Sequence, residues 1–462
     1  MTQTKNVFQQ LFDFKNIDGK ELLAILRRFC NSYLFYAFEF VAACLFVAAG
    51  KEVEGAVFFV SMIGVLLVLS EDILPTTFPF LLICTFTTNC YDSFNTFIQY
   101  IWYAPIAVIC LVFHFVYYRQ PFSSGKSVYG IMAVSLAILL GGIGLFSAKD
   151  YFYGGYYLLG LSLGMLAAYY LMYSQFSAPR DYDLSTRFSV IMTMLGLFCT
   201  FMVSSGYFKY YHNIPTYTNG YGFSQNNIAT LLMFTLPFPV FLSKKHRWLA
   251  VLSVVLFATL AVTRSRGGLI FGTLEFAVTC VYWIYSMKRR LLCSILCVVA
   301  VAVVLLIFHK PLYNIINDRF EGGVRGEARW NMAFQAFEKF KQRPILGFGI
   351  LDKSNEYAGY MKKGSMAWYH MMIPQIIASM GLVGVAAYVF QGIGRIKLIF
   401  TRPSLWSLCL GISYLGILGM SQVNPGEFCP LPFELLTVLL FILQELRLKK
   451  LGLPLLIKPR KI

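Results

Sequence analysis

What most limits the folds open to this chain is a succession of apolar stretches long enough to cross a bilayer, separated by short polar turns. A spanning helix takes about 20 apolar residues, and hydrocarbon tolerates only structures that pair every backbone group internally. Fourteen stretches qualify, near residues 32–50, 55–70, 73–90, 98–118, 128–147, 153–175, 188–206, 227–242, 248–263, 267–287, 291–308, 371–393, 405–422 and 430–446. The expected fold is therefore all-α, a polytopic transmembrane bundle of 12–14 spans with one long, partly helical extracytoplasmic loop. Composition agrees, because 58% of the 462 residues are hydrophobic and only 13% charged, too few charges to cover a soluble globule of this size.

A net charge of +17 would point to nucleic acid in a soluble protein. Here the Lys and Arg residues sit in short clusters between apolar stretches, as in cytoplasmic loops, so no nucleic-acid partner is expected. The first thirty residues are polar and carry no cleavable signal, and Tyr33 to Ala49 is long enough to remain as a span. With both termini cytoplasmic, 24 of the 39 basic residues fall inside. Ten of the others lie in residues 309–370, a loop long enough to escape the positive-inside rule. The resulting organisation is a cytoplasmic segment 1–31, a bundle 32–308 of about eleven spans, an outer cap 309–370, further spans in 371–446, and a basic cytoplasmic tail 447–462. Eleven cysteines lie mostly within apolar runs at no metal-ligand spacing and read as small core residues.

Arg264 and Arg266 share a tight outer turn where topology alone disfavours them, so another force must hold them there. In Val262-Thr263-Arg264-Ser265-Arg266-Gly267-Gly268, Ser265 can cap the following helix and the glycines allow close approach to the backbone. Free N–H groups beside guanidinium groups suit an anion such as phosphate; lipid-headgroup anchoring is the plainer alternative. Within the long loop, Trp330, Ala333, Phe334, Phe337 and Phe340 recur at helical spacing until Pro344, with Gln335, Glu338, Lys339 and Gln342 opposite. This predicts an amphipathic helix on the outer membrane surface, flanked by Arg329, a residue that taken alone would simply snorkel. His370, in Ala367-Trp368-Tyr369-His370 at the mouth of the twelfth span, can accept a proton near neutral pH, although a lone interfacial histidine is more often structural. The topology puts all three elements at one outer boundary.

In that combination the chain resembles the O-antigen ligase and O-antigen polymerase superfamily of bacterial membrane proteins, which includes teichuronic acid polymerases and protein O-oligosaccharyltransferases. The resemblance covers roughly residues 215–390. It rests on Gly222 through Pro237, on Thr263-Arg264-Ser265-Arg266-Gly267-Gly268, on Arg329 fifteen residues before the Pro344 of a P-x-x-G-x-G ending, and on His370 followed by Met380-Gly381-Leu382-Val383-Gly384. It implies a glycosyltransferase of the cytoplasmic membrane with its site on the outer face, moving a glycan from an undecaprenyl or similar polyprenyl diphosphate carrier. The acceptor would be a glycan, lipid or wall polymer, and other polysaccharide-assembly proteins would be partners. By resemblance Arg266 binds the diphosphate, Arg329 is catalytic and His370 is the acceptor-side base or orienter. Met371 stands where the family often has Asn, and Arg264 replaces a usually small residue and could share the role of Arg266. Tyr357, Trp368 and Tyr369 are candidates to stack on sugars, though a membrane-interface aromatic belt explains them equally well.

No cofactor is expected, because fixed arginines can stabilise a leaving diphosphate and the outer loops hold no tight acidic cluster except Glu52-Val53-Glu54. That pair would serve a competing reading, a metal-dependent enzyme using a polyprenyl monophosphate sugar; two solvated glutamates are the blander one. Asp181-Tyr182-Asp183 mimics a sugar-nucleotide site but lies in a loop too short to house a nucleotide. A lipid-linked glycan flippase is the non-enzyme alternative, with Glu39, His114, Glu275 and Glu434 as ionisable groups within spans.

Overall fold

A computed structural model describes residues 19–89, 100–141, 158–209, 225–263, 265–287, 328–350, 369, 371–423 and 431–452, with a few positions between 290 and 299. Among these residues there are helices and turns and no strand, which establishes the all-α fold. In chain order the helices are α1 Gly19–Cys30, α2 Tyr33–Ala49, α3 Glu52–Leu69, α4 Thr77–Asn89, α5 Ala104–Tyr117, α6 Val128–Gly141, α7 Met165–Phe176, α8 Leu184–Lys209, α9 Gln225–Thr235, α10 Phe238–Leu242, α11 Val251–Val262, α12 Arg266–Tyr285, α13 Ala328–Gln342, α14 Met372–Phe400, α15 Leu405–Met420 and α16 Leu431–Lys450. Every expected apolar stretch coincides with one or two of these except 291–308, most of which lies outside the described residues.

Among the described residues, four segments are by themselves long and apolar enough to cross a membrane: Glu52–Leu69, Leu184–Gly206, Arg266–Tyr285 and Met372–Phe400. Even the shortest rises about 27 Å, close to a hydrocarbon core. Helices α1 and α2 meet at a 67° bend, where the Ser32 hydroxyl caps α2 by accepting from the Phe35 N–H at 3.2 Å. Several other helices are apolar but shorter, including Val128–Gly141 and Leu405–Met420. The apolar stretch 227–242 is broken outright. Pro237 cannot donate to the helix and separates α9 from α10, and the freed carbonyls find side-chain donors. Ser413 Oγ donates to Phe234 O at 2.9 Å, Ser253 Oγ to Leu236 O at 2.7 Å, and the Cys409 thiol to Pro237 O at 3.3 Å. Unpaired, each such group in hydrocarbon would cost several kcal/mol.

The bundle buries large rings and shows aliphatic side chains outward. Trp406 packs among Phe188, Phe238 and Phe241, with centroids 5.7–6.1 Å apart, and Phe86 sits between Phe59 and Phe198. Leu45, Val65, Val116, Leu274 and Val281 are more than half exposed, an apolar exterior of the kind that suits a lipid-facing surface. Glu39, His114, Glu275 and Glu434 all point inward and are buried, which keeps ionisable groups off the lipid face.

Connecting segments gather at two ends. At one end Arg27 Nε donates to Leu69 O (2.7 Å), Tyr118 to Val68 O (3.0 Å), Arg180 pairs with Asp72 (2.9 Å), Ser127 donates through N–H and hydroxyl to Glu445 (2.7 Å each), and Arg402 reaches Leu451 O (3.3 Å). At the opposite end lie the starts of α9, α12 and α14 and the close of α15, with α13 beside them.

Candidate active site at one end of the bundle

The turn into α12 is built as the sequence requires. Ser265 has extended backbone (φ −72°, ψ 117°), and its hydroxyl accepts from the Gly268 N–H at 3.2 Å, capping the helix. The same hydroxyl donates to Asn226 Oδ1 at 2.8 Å, binding the turn to the first turn of α9, and Thr263 Oγ1 accepts from the Ser265 N–H at 3.4 Å. A methyl group on Gly267 would come within 2.2 Å of Val423, and one on Gly268 within 2.8 Å of the Ala229 Cβ. The glycines therefore allow α12 to begin hard against α15 and α9. Arg266, the first residue of α12, is half-buried, beside amide groups that carry the positive end of the helix dipole.

The close of α15 joins this turn to the approach of α14. Ser421 O accepts from the Met372 N–H at 2.8 Å, and the Gln422 amide reaches Met372 Sδ at 3.8 Å. Tyr369 enters α14 buried, with 2% of its surface exposed, in a cluster with Met332 and Ala336 of α13 and Ala378 of α14. Its ring packs against α13 in that cluster. Arg329 lies in the first turn of α13, three residues before Met332. Its side chain, and Arg264, Tyr357, Trp368 and His370 altogether, lie outside the described residues. What the structure brings together is the Arg266 turn, the helix that carries Arg329, and the residues on either side of His370.

The P-x-x-G-x-G segment after α13 has a structural task. Helix α14 is kinked at Gly381, whose φ of 58° and ψ of −149° break the helical ladder. The chain from Pro344 to Gly349 fills the gap. Phe348 N–H donates to Ala378 O (2.8 Å) and Gly349 N–H to Ser379 O (2.9 Å), while Leu382 and Val383 donate to Pro344 O (2.8 Å) and Ile345 O (3.2 Å). A side chain at Gly347 would collide with Ser379 and Met380 backbone at 2.4–2.5 Å, and one at Gly381 with Pro344 and Ile345 carbonyls at 2.5 Å. Gly141, ending α6, presses on Ser379 O from the other side, since a methyl there would sit 2.6 Å away. Beside this joint opens a cavity of about 380 Å³, lined by Leu140, Gly141 and the chain from Arg343 to Gly347, with the Arg343 guanidinium 4.6 Å from the Phe348 ring centre.

Other sequence candidates resolve differently. Glu52 and Glu54 both lie in the first turn of α3, where carboxylates favour the helix dipole. Two residues apart on a helix, they point to different faces and do not form a convergent pair. Asp183 caps α8, accepting from the Thr186 N–H at 3.0 Å, so the Asp181-Tyr182-Asp183 run is a helix-starting turn. Two participants went unassigned in the sequence: Asn226, visible only as part of the Gly222–Pro237 segment, and Gln375, a polar residue in an apolar span with Ser379 one turn later.

The O-antigen ligase family model matches residues 251–389, from α11 to the middle of α14. The segment that holds the Arg266 turn, Arg329, His370 and the Gly381 kink is thus similar to the O-antigen ligase family, and that similarity supports a role in glycan transfer. No curated protein and no solved structure matches the chain.

Proposed function

We propose that the protein transfers a glycan from a polyprenyl (undecaprenyl) diphosphate carrier to an acceptor hydroxyl at the outer face of the bacterial cytoplasmic membrane, as a surface-polysaccharide polymerase or ligase. The observation that carries this reading is the capped turn of Thr263–Gly268, which offers helix N–H groups and Arg266 at the end of the bundle where the His370 approach and α13 converge. Both termini face the cytoplasm, and residues 309–370 cap the outer end.

In the reaction, Arg266 with Arg264 holds the donor diphosphate and Arg329 stabilises it as it leaves. The bond between the sugar anomeric carbon and the phosphate oxygen breaks, and its electron pair stays on the diphosphate. The acceptor oxygen bonds to the anomeric carbon from the opposite face, with inversion, and its proton passes to His370. Fixed cations aimed at the departing charge can supply this stabilisation without a metal ion. Tyr357, Trp368 and Tyr369 are the candidates for sugar contact.

The test is a deletion strain complemented with wild type, Arg266→Ala, Arg329→Ala or His370→Ala, with lipid-linked glycans separated by size and membrane abundance checked. Single lipid-linked repeats accumulating in the mutants would define a polymerase; long carrier-bound chains that fail to reach a final acceptor would define a ligase. Wild-type products in all three mutants would sink the assignment.

A further inference from the structure

We infer that Gln375 is the positioning residue for the acceptor-side base, an inference resting on the role of His370 proposed above. Gln375 lies one turn into α14 with 1% of its surface exposed, and a single amide at this depth is costly unless every polar atom is paired. Here it is. Its Oε1 accepts from the Tyr369 N–H at 3.0 Å, and its Nε2 donates to Ser379 Oγ at 2.7 Å and to Ile350 O at 3.4 Å.

Those partners are not equivalent parts of the chain. Ile350 directly follows the Pro344–Gly349 segment, which connects α13, the helix of Arg329, to the Gly381 joint. Tyr369 is the residue immediately before His370, and Ser379 lies on the same face of α14 as Gln375, beside the kink. One side chain therefore ties the segment that follows α13, the approach to His370 and the kinked helix to one another. On the far side of His370, the Gln375 N–H bonds to Met371 O at 3.0 Å and Met372 N–H to Ser421 O. Tyr369 and Met372 are thus both bonded to the bundle, and the Gln375 amide is a hydrogen-bonding anchor of the Tyr369 N–H.

A hydrophobic residue of similar volume would leave the Tyr369 N–H and the Ile350 carbonyl buried without that partner, and the chain before His370 would shift to find others. A displacement of about 1 Å in a catalytic group can cost about 10²-fold in rate. The donor diphosphate, held on α12, would be bound as before.

The experiment uses membrane vesicles from the deletion strain carrying full-length Gln375→Leu, Gln375→Glu or His370→Ala, with the strain's own lipid-linked glycan as donor. Transfer rate per folded protein is followed against pH and against donor level. Expected for Gln375→Leu is a rate loss of about 10²-fold at saturating donor, an unchanged half-saturating donor level, and a displaced acid limb of the pH profile. Gln375→Glu retains the acceptor for Tyr369 and should recover most of the rate. An unaltered rate, a loss that merely follows the amount of folded protein, or a loss with the acid limb unmoved would overturn the positioning role. A wild-type rate in His370→Ala would instead overturn the base assignment itself, a separate result.

Discussion

Asp72 shows how much one side chain can organise at the end of the bundle away from the candidate site. Its carboxylate pairs with Arg180 Nε at 2.9 Å, accepts from the Leu74 N–H at 3.1 Å and from the Tyr182 hydroxyl, and is only 17% exposed. Arg180 spends its other donors on the carbonyls of Gln175, Phe176 and Ala178 at 2.7–3.1 Å, closing α7. Breaking one partner of a fully buried pair costs about 3–5 kcal/mol; this pair is part-buried and Arg180 keeps its carbonyl contacts, so Asp72→Ala should cost less than that, readable as a lowered Tm in detergent. Burial first, and the Asp72 charge next, raise the Tyr182 hydroxyl above its ordinary value. A raised group holds its full stabilisation below its unfolded pKa, here about 10, and loses it as pH climbs further. The 177–183 turn should accordingly gain protease sensitivity only above about pH 10. In the sequence this run is a short loop between apolar stretches; the Asp183 cap has a local signature there, whereas the tie to Asp72, over a hundred residues away, has none.

Among the helices, α14 was legible as a span and its break was not. Met380-Gly381-Leu382-Val383-Gly384 reads as continuous apolar sequence, and isolated glycines are tolerated in membrane helices. The kink became necessary only through Pro344–Gly349, a segment the sequence marked as the stop of α13 without showing what it docks against. Gly381 occupies a region of backbone space open essentially to glycine alone, which costs other residues about 1–3 kcal/mol, and any side chain also meets two carbonyl oxygens. Gly381→Ala should therefore lower Tm and transfer together, while Gly392→Ala, with open space around its Cβ position, should leave both unchanged. The same contrast explains the success with α13: its apolar stripe, capped by Pro344, follows local periodicity, and Trp330, Phe334 and Phe337 do remain outward-facing.

At the scale of the whole molecule, hydropathy fixed where the helices lie because spanning length is a property of the chain itself. It left their partners open, since lipid and protein interiors are about equally apolar and the choice is made by small residues. Gly130 lies against the Gln391 backbone and Gly141 against Ser379, so α6 runs antiparallel along α14 at close approach. Loops assigned to one side by charge do contact one another at one end of the bundle, as the Arg27, Asp72, Ser127 and Arg402 bonds show. Sidedness is a proposal with a direct check. In a variant lacking reactive native cysteines, Lys51→Cys should be labelled by an impermeant maleimide from outside the cell and Arg402→Cys only after permeabilisation; the reverse pattern would invert the topology.

The backbone joint at Gly381 also bears on how the protein meets membranes of different thickness. A helix of 29 residues answers a thinner or thicker bilayer by tilting. Because the segment trailing Arg329 is bonded to α14 itself, and Tyr369 is bonded to the same helix, both are carried along as it leans. The spacing between the two arms that the proposed mechanism places on that helix would thereby be insulated from lipid composition, and adaptation to bilayer thickness would fall to the close of α15, which joins α14 to the turn that begins α12.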